Sequence, residues 1–137
     1  MGQRVIFLET SAVIAILAHE ADGPSLADRL EEARECITAG HVILEAAMRL
    51  SSMFKISPVA AGSRVTALLR ESSIRVVPID EEVAHEAVGA FERFGKGRKS
   101  RAGLNFGDCL SYACAKVHGA RLLFKGDDFA DTDIARA

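Results

Sequence analysis

At 137 residues the chain has room for one domain around one core, burying about two-thirds of its extended surface. Hydrophobic residues at 49% and charged residues at 26% exclude a disordered chain. Seventeen basic against nineteen acidic residues, net −2, exclude nucleic-acid binding by bulk positive charge, so any such contact must come from a local patch.

The first predicted element is a strand over Val5-Ile6-Phe7-Leu8, a β-branched and aromatic run suited to burial on both faces. Thr10-Ser11 offers a turn and cap before a helix from Ala12 to His19. Gly23-Pro24 opens a second helix with Leu26, Leu30 and Ala33 on one stripe. Cys36 to Ala39 reads as a short strand, and Gly40-His41 leads into a helix carrying Leu44, Ala47, Met48 and Ser51. Pro58 permits another helix start, with Val65, Leu68 and Leu69 as its apolar face. Ile74 to Ile79 is a strand with Pro78 at its end, since proline cannot donate to a central ladder. Asp80 caps a helix from Glu82 to Phe94 on which Val83, Ala87, Val88 and Phe91 repeat. Gly95 to Gly103 is loop, Asn105 to His118 helix and Arg121 to Phe124 the last strand.

The longest uncharged apolar run, Ala12 to Ala18, falls short of the ~20 residues that span a bilayer. The N-terminus lacks a signal-peptide core. Cys36, Cys109 and Cys114 form no C-x-x-C, and their odd number argues against a disulfide framework. His19, His41, His85 and His118 show no pair at helical ligand spacing, which disfavours zinc. The expectation is a soluble, reduced, cytoplasmic α/β domain in which helices cover both faces of a mostly parallel sheet.

Ligands of such sheets collect at the carboxyl ends of the strands. Glu9 follows the first strand, Asp127 and Asp128 the last, Glu45 lies in the helix after the second, and Asp108 in the first turn of the Asn105 helix. Each also has a plain structural role. Asp108 can complete a capping arrangement, Glu45 can be solvated, and the two aspartates can form a turn. Glu9 is hardest to explain that way, because a charge ending a buried strand costs free energy unless compensated.

Two like charges ~4 Å apart at an effective dielectric of ~20 repel by about 4 kcal/mol, so converging carboxylates call for a cation between them. Oxygen ligands without His or Cys suit Mg²⁺ or Mn²⁺. An ion so held can activate water against a phosphodiester. Arg93, Lys96, Arg98, Lys99 and Arg101 put five cations into nine residues leading to Asp108, a patch able to hold a phosphate backbone. Tyr112 and the seven phenylalanines read as core, so base stacking is not indicated. Met48, Leu50, Met53 and Phe54 give their helix more apolar surface than one stripe needs, as core or as interface.

The stretch Phe7-Leu8-Glu9-Thr10-Ser11-Ala12 resembles the opening of PIN-domain proteins of the VapC toxin type. So do Gly95-Lys96-Gly97-Arg98 and the run Arg101 to Cys109 through Asn105-Phe106-Gly107-Asp108. Leu122 to Phe129 with Thr132-Asp133-Ile134 is similar to the closing motif of one VapC subgroup. The resemblance covers essentially the whole chain. It implies a single PIN domain over 1–137, a three-layer α/β/α sandwich. It further implies the toxin of a type II toxin–antitoxin system: an Mg²⁺-dependent endoribonuclease, with Mn²⁺ as a substitute, silenced by a VapB-type antitoxin and forming a homodimer.

Carried over, the family's acids fall on Glu9, Glu45, Asp108 and Asp128, with Asp127 as the alternative fourth acid. Glu9, Asp108 and Asp128 or Asp127 are then the metal ligands, and Glu45 orients or deprotonates water. Ser11 matches a polar residue beside the metal, and Arg98, Lys99 and Arg101 are RNA contacts. One departure stands out. The usual first acid is Asp, and Glu9 moves its carboxylate by roughly 1 Å, a displacement that can cost about 100-fold in rate. The alternative is therefore a catalytically weakened PIN domain that binds RNA or antitoxin. A phospho-acceptor domain on a similar sheet fits less well, because its strand should end in Asp.

Overall fold

The computed structural model describes residues 4–137. Strand β1 (Val5–Leu8) is buried from Ile6 onward, as its apolar run requires. It is followed by α1 (Thr10–Leu17), α2 (Gly23–Glu32), β2 (Glu35–Ala39), α3 (Gly40–Phe54), α4 (Pro58–Glu71) and β3 (Ile74–Val77). Helices α5 (Glu81–Phe94) and α6 (Phe106–Val117) and strand β4 (Arg121–Leu123) complete the order. Proline sits in the first turn of α2 and of α4, where its missing N–H is no loss. The Ser57 hydroxyl accepts from Ala60 N at 3.0 Å to cap α4, and Asp80 accepts from Val83 N at 3.1 Å to cap α5.

The four strands form a parallel sheet in the order β3-β2-β1-β4, flanked by the six helices, and the α/β expectation is met. The chain first builds outward from β1 through β2 to β3 and then returns to add β4 on the other side. The order therefore reverses between β1 and β4, and the crevice beyond their carboxyl ends is the topological switch point. Tyr112, Phe7, Phe129, Leu8 and Ile37 are the bulkiest of the fully buried side chains. A C-terminal segment pairs beside β4, with Leu122 N donating to Ala135 O and Ala137 N to Leu122 O, both at 2.9 Å. No helix among the described residues is long and apolar enough to cross a membrane.

Several expectations need correction. Helix α1 starts at Thr10, not Ala12, because Glu9 rather than Thr10 or Ser11 is its cap. On α3 the buried side is Val42, Ala46, Ala47 and Leu50, while Leu44 and Met48 face outward. Leu44 and Ala47 lie on adjacent faces of the same turn, and the smaller of the two turns inward. On α5, Val83 and Ala90 are buried, whereas Val88 and Phe91 are exposed. The phenylalanines divide likewise: Phe7, Phe124 and Phe129 are core, and Phe54, Phe91 and Phe106 are exposed. β3 ends at Val77, before Pro78.

Candidate active site

Glu9 extends the β1–β4 ladder by one bond, its N–H donating to Leu123 O at 3.1 Å, so it stands at the switch point. Its carboxylate turns back over the start of α1. Both oxygens accept from Ser11 N at 3.1 Å, and Oε1 also accepts from Ser11 Oγ at 2.6 Å. Ser11 Oγ in turn accepts from Lys125 N at 2.8 Å, which ties the end of β4 to the same corner. Glu9 is only 7% exposed. Burial pushes its pKa up to about 7; the Ser11 hydrogen bonds oppose the rise, and the charges of Asp108 and Glu45 add to it.

Glu45 projects from the second turn of α3 and is half-buried. Its Oε1 accepts from Thr10 Oγ1 at 2.9 Å, so it touches the residue after Glu9. On the other side the carboxylate lies against the Cα of Gly107, the residue before Asp108. One turn earlier on α3, His41 Nε2 meets Ser111 Oγ of α6 at 2.8 Å, and the ring stacks at 6.3 Å on Phe7. Burial holds the His41 pKa down to about 4, so this tie is made by a neutral imidazole.

Asp108 completes a capping box at the start of α6: its N–H donates to Asn105 Oδ1 at 2.8 Å, and its Oδ2 accepts from Asn105 N at 3.1 Å. The structural role expected of Asp108 is therefore real. Yet its pKa is pushed up to about 6, first by burial, then by Asp128 and Glu45, against the opposing bond from Asn105. A carboxylate serving a helix cap alone is normally stabilised in its charged form. Asp128 lies on the exposed turn after β4, where Gly126 takes a φ of +92°. Of the two aspartates there, Asp128 is the one whose charge acts on Asp108. The carbonyl of Asp127 accepts from Ala130 N at 3.0 Å within the turn.

Four acids from distant stretches thus bear on one another at the carboxyl edge of the sheet, with Glu45 bridging the neighbours of Glu9 and Asp108. Among the described residues no three carboxylate, imidazole or thiol groups stand at separations that would close on one ion. Glu9 spends its oxygens on Ser11, and Glu45 and Asp108 each keep one protein donor. The donor set is oxygen only and crowded with like charge, with Glu9 and Asp108 raised in pKa, and so fits a hard divalent cation.

The loop from Gly95 to Leu104 enters α6 beside these acids. Its base is pinned by Lys96 N to Leu104 O and Leu104 N to Phe94 O, each 2.9 Å. Arg98, Lys99 and Arg101 are exposed on it, and none forms an ion pair among the described residues. Arg93 does not belong to this patch. It lies on α5 and bonds Tyr112 and Asp133 at 3.0 and 3.5 Å.

Sequence reading passed over two residues of the site, Thr10 and Gly107. Both sit next to an acid that was singled out, and adjacency was the available signal. What either one touches depends on α3, far away in sequence.

A family model for the PIN domain matches residues 6–135. A protein of Mycolicibacterium smegmatis named Ribonuclease VapC is 42% identical over 130 residues, covering 93% of this chain and 96% of the relative. Among solved structures, Mycobacterium tuberculosis VapC20, described as a sarcin-ricin loop cleaving toxin, superposes with a TM-score of 0.71 at 20% identity, over 96% of this chain and 98% of that one. A toxin–antitoxin complex from Klebsiella pneumoniae gives 0.69 at 14% identity, over 93% and 92%. The first strand from Ile6 onward, the Asn105 cap and the closing acidic turn fall within the matched span, and the chain belongs to the PIN-domain family, on its VapC ribonuclease branch.

Proposed function

We propose that in this VapC-type endoribonuclease Glu9, Glu45, Asp108 and Asp128 form the site that cuts the RNA phosphodiester, using Mg²⁺, with Mn²⁺ as a substitute. The observation that carries this reading is the mutual charge of carboxylates from β1, α3, α6 and the turn after β4, with Glu9 and Asp108 raised to about 7 and about 6. Glu9, Asp108 and Asp128 hold the ion, and Asp127 serves the turn. A bound divalent cation supplies Lewis-acid activation of water and stabilises charge building on the phosphate oxygens.

The chain's own groups do the rest. Glu45, held by Thr10 but not enclosed, orients water and accepts its proton. Ser11 fixes Glu9 and the end of β4 relative to each other. Arg98, Lys99 and Arg101 hold the RNA backbone on the loop that leads into α6, which fixes the position of the strand without reading its bases.

The whole chain, 1–137, acts as one PIN domain in the cytoplasm. Its toxin role pairs it with a VapB-type antitoxin, and it forms a homodimer. Exposed Val88, Phe91 and Phe106 around the α5–α6 groove, and Leu44, Met48 and Met53 on α3, support these partners as apolar surface without a cover. The Klebsiella relative, being a toxin–antitoxin complex, supports the antitoxin.

A specific observation keeps a second reading in view. Glu9 folds back on Ser11 through three hydrogen bonds, as a cap rather than an extended ligand. A PIN domain weakened at its first acid would look like this and would still bind RNA or antitoxin. Incubating the pure chain with total RNA and Mg²⁺, with and without EDTA, and mapping the cut ends tests the nuclease. Defined cuts that EDTA abolishes are expected; absence of cutting, or cutting undiminished in EDTA, contradicts it. A silent native chain made active by Glu9→Asp would establish the weakened reading.

A further inference from the structure

Gly107 is the second residue of α6, between the Asn105 cap and Asp108. Its backbone does not ask for glycine. The glycines with positive φ are Gly97, Gly103, Gly119 and Gly126, and Gly107 keeps a conformation that alanine also adopts. Inside a helix, glycine in place of alanine costs up to about 1 kcal/mol. What the position lacks is space. A Cβ there would stand 2.2 Å from Glu45 Oε2, 2.7 Å from its Cδ and 2.8 Å from its Oε1. Ordinary contact begins near 3.5 Å, so the whole carboxylate would have to withdraw by about 1 Å.

Retreat would break an existing contact. Thr10 Oγ1 holds Oε1 at 2.9 Å, and the His41–Ser111 bond fixes α3 against α6 one turn away. Ser111 is only 1% exposed, and His41 is half-buried.

We infer that Gly107 is a positioning residue for Glu45: by carrying no side chain it lets the Glu45 carboxylate lie on the first turn of α6 beside Asp108. The role rests on the reading of Glu45 as an active-site acid. An alanine at 107 leaves every proposed ligand and base in the chain but displaces one of them.

The test is a double-mutant cycle between positions 107 and 45, with Gly89→Ala as a control, because a Cβ at Gly89 meets nothing within 4 Å. Gly107→Ala is expected to lower kcat for Mg²⁺-dependent RNA cleavage by about 100-fold with little change in KM, while Gly89→Ala leaves both unchanged. Glu45→Asp, which shortens the side chain by one methylene, should cost activity in the native chain and restore part of it in the Gly107→Ala background. Melting of the metal-free variants reads the same contact without catalysis. Gly107→Ala should raise Tm by several degrees more in a Glu45→Ala background than in the native one.

Multiplicative effects on kcat together with additive Tm values would overturn the inference. So would a Gly107→Ala enzyme within threefold of native. If the native chain itself cuts no RNA while the Tm values still couple, the contact stands and the nuclease reading falls, taking the positioning role with it.

Discussion

Two clusters of charged side chains flank α6, and they behave in opposite ways. At its N-terminal end Glu9 feels the charges of Asp108 and Glu45, and Asp108 those of Asp128 and Glu45; burial and this repulsion raise the pKa of Glu9 and Asp108. Along its body Asp133 meets the Tyr112 hydroxyl, Arg93 and Lys116, the last two at 3.5 Å. Burial opposes ionisation there too, but those three partners outweigh it and hold the Asp133 carboxyl below its ordinary range. In return, the Tyr112 hydroxyl is pushed well above its usual value, by burial first and then by Asp133. The second cluster is complete within the chain. It pins the C-terminal segment to α5 and α6 and needs nothing further. The first holds like charges, which protons relieve at low pH and which the proposed divalent cation would relieve at neutral pH.

The largest effect should come from the incomplete cluster. Asp108→Asn is expected to lower Mg²⁺-dependent cleavage by about 1,000-fold or more while leaving the circular dichroism spectrum unchanged, since asparagine still caps α6. Cleavage equal to native would remove Asp108 from the site. Next comes the basic loop. Replacing Arg98, Lys99 and Arg101 together by alanine should raise KM for RNA about tenfold and reduce the slope of log KM against log salt by about 2, with kcat little changed. An unaltered salt slope would place the RNA elsewhere.

Stability against pH separates the clusters without any assay of activity. Folded Glu9 and Asp108 retain protons that the unfolded chain releases at their ordinary values of 4.5 and 3.8. Between about pH 4 and pH 7 the native state therefore binds more protons, and the metal-free chain should lose stability as pH rises through that window. Asp133 has the opposite sign, its contribution being present above its ordinary pKa and lost only as pH falls below about 4. Buried His41, neutral in the fold down to about pH 4, gains stability as pH rises to 6.5 and offsets part of this decline. Tm measured in EDTA should still fall by pH 7, and Mg²⁺ should recover the fall. A Tm that instead rises steadily to pH 7, as His41 alone would give, would show that the first cluster carries no strain. The smallest effect belongs to the complete cluster: Asp133→Asn should cost about 1 kcal/mol, a few degrees in Tm, because the partners are half-exposed.

The sequence disclosed the fold through patterns that act locally. The β-branched run Val5 to Leu8, the prolines at the starts of α2 and α4, and the caps at Asp80 and Asn105 each depend on neighbours within a turn, and each appears where it was read. The faces of α3 and α5 were read less well. Leu44, Met48, Val88 and Phe91 are apolar enough for the core, and only the packing of other helices leaves them outside. The acids were legible as residues that follow strands. Their interplay was not: that Glu45 touches Thr10 and overlies Gly107 follows from how α3 docks on α1 and α6. The fold-back of Glu9 onto Ser11 was hidden for a different reason, since capping competes with ligation for the same oxygens.

The most direct measurement is Mn²⁺ binding to the pure chain at pH 7, followed by electron paramagnetic resonance and checked against Mg²⁺ competition. The account predicts a bound ion in the native protein, displaced by Mg²⁺ and lost in Asp108→Asn. No binding by the native chain at millimolar Mn²⁺, or equal binding by the Asp108→Asn variant, would contradict it.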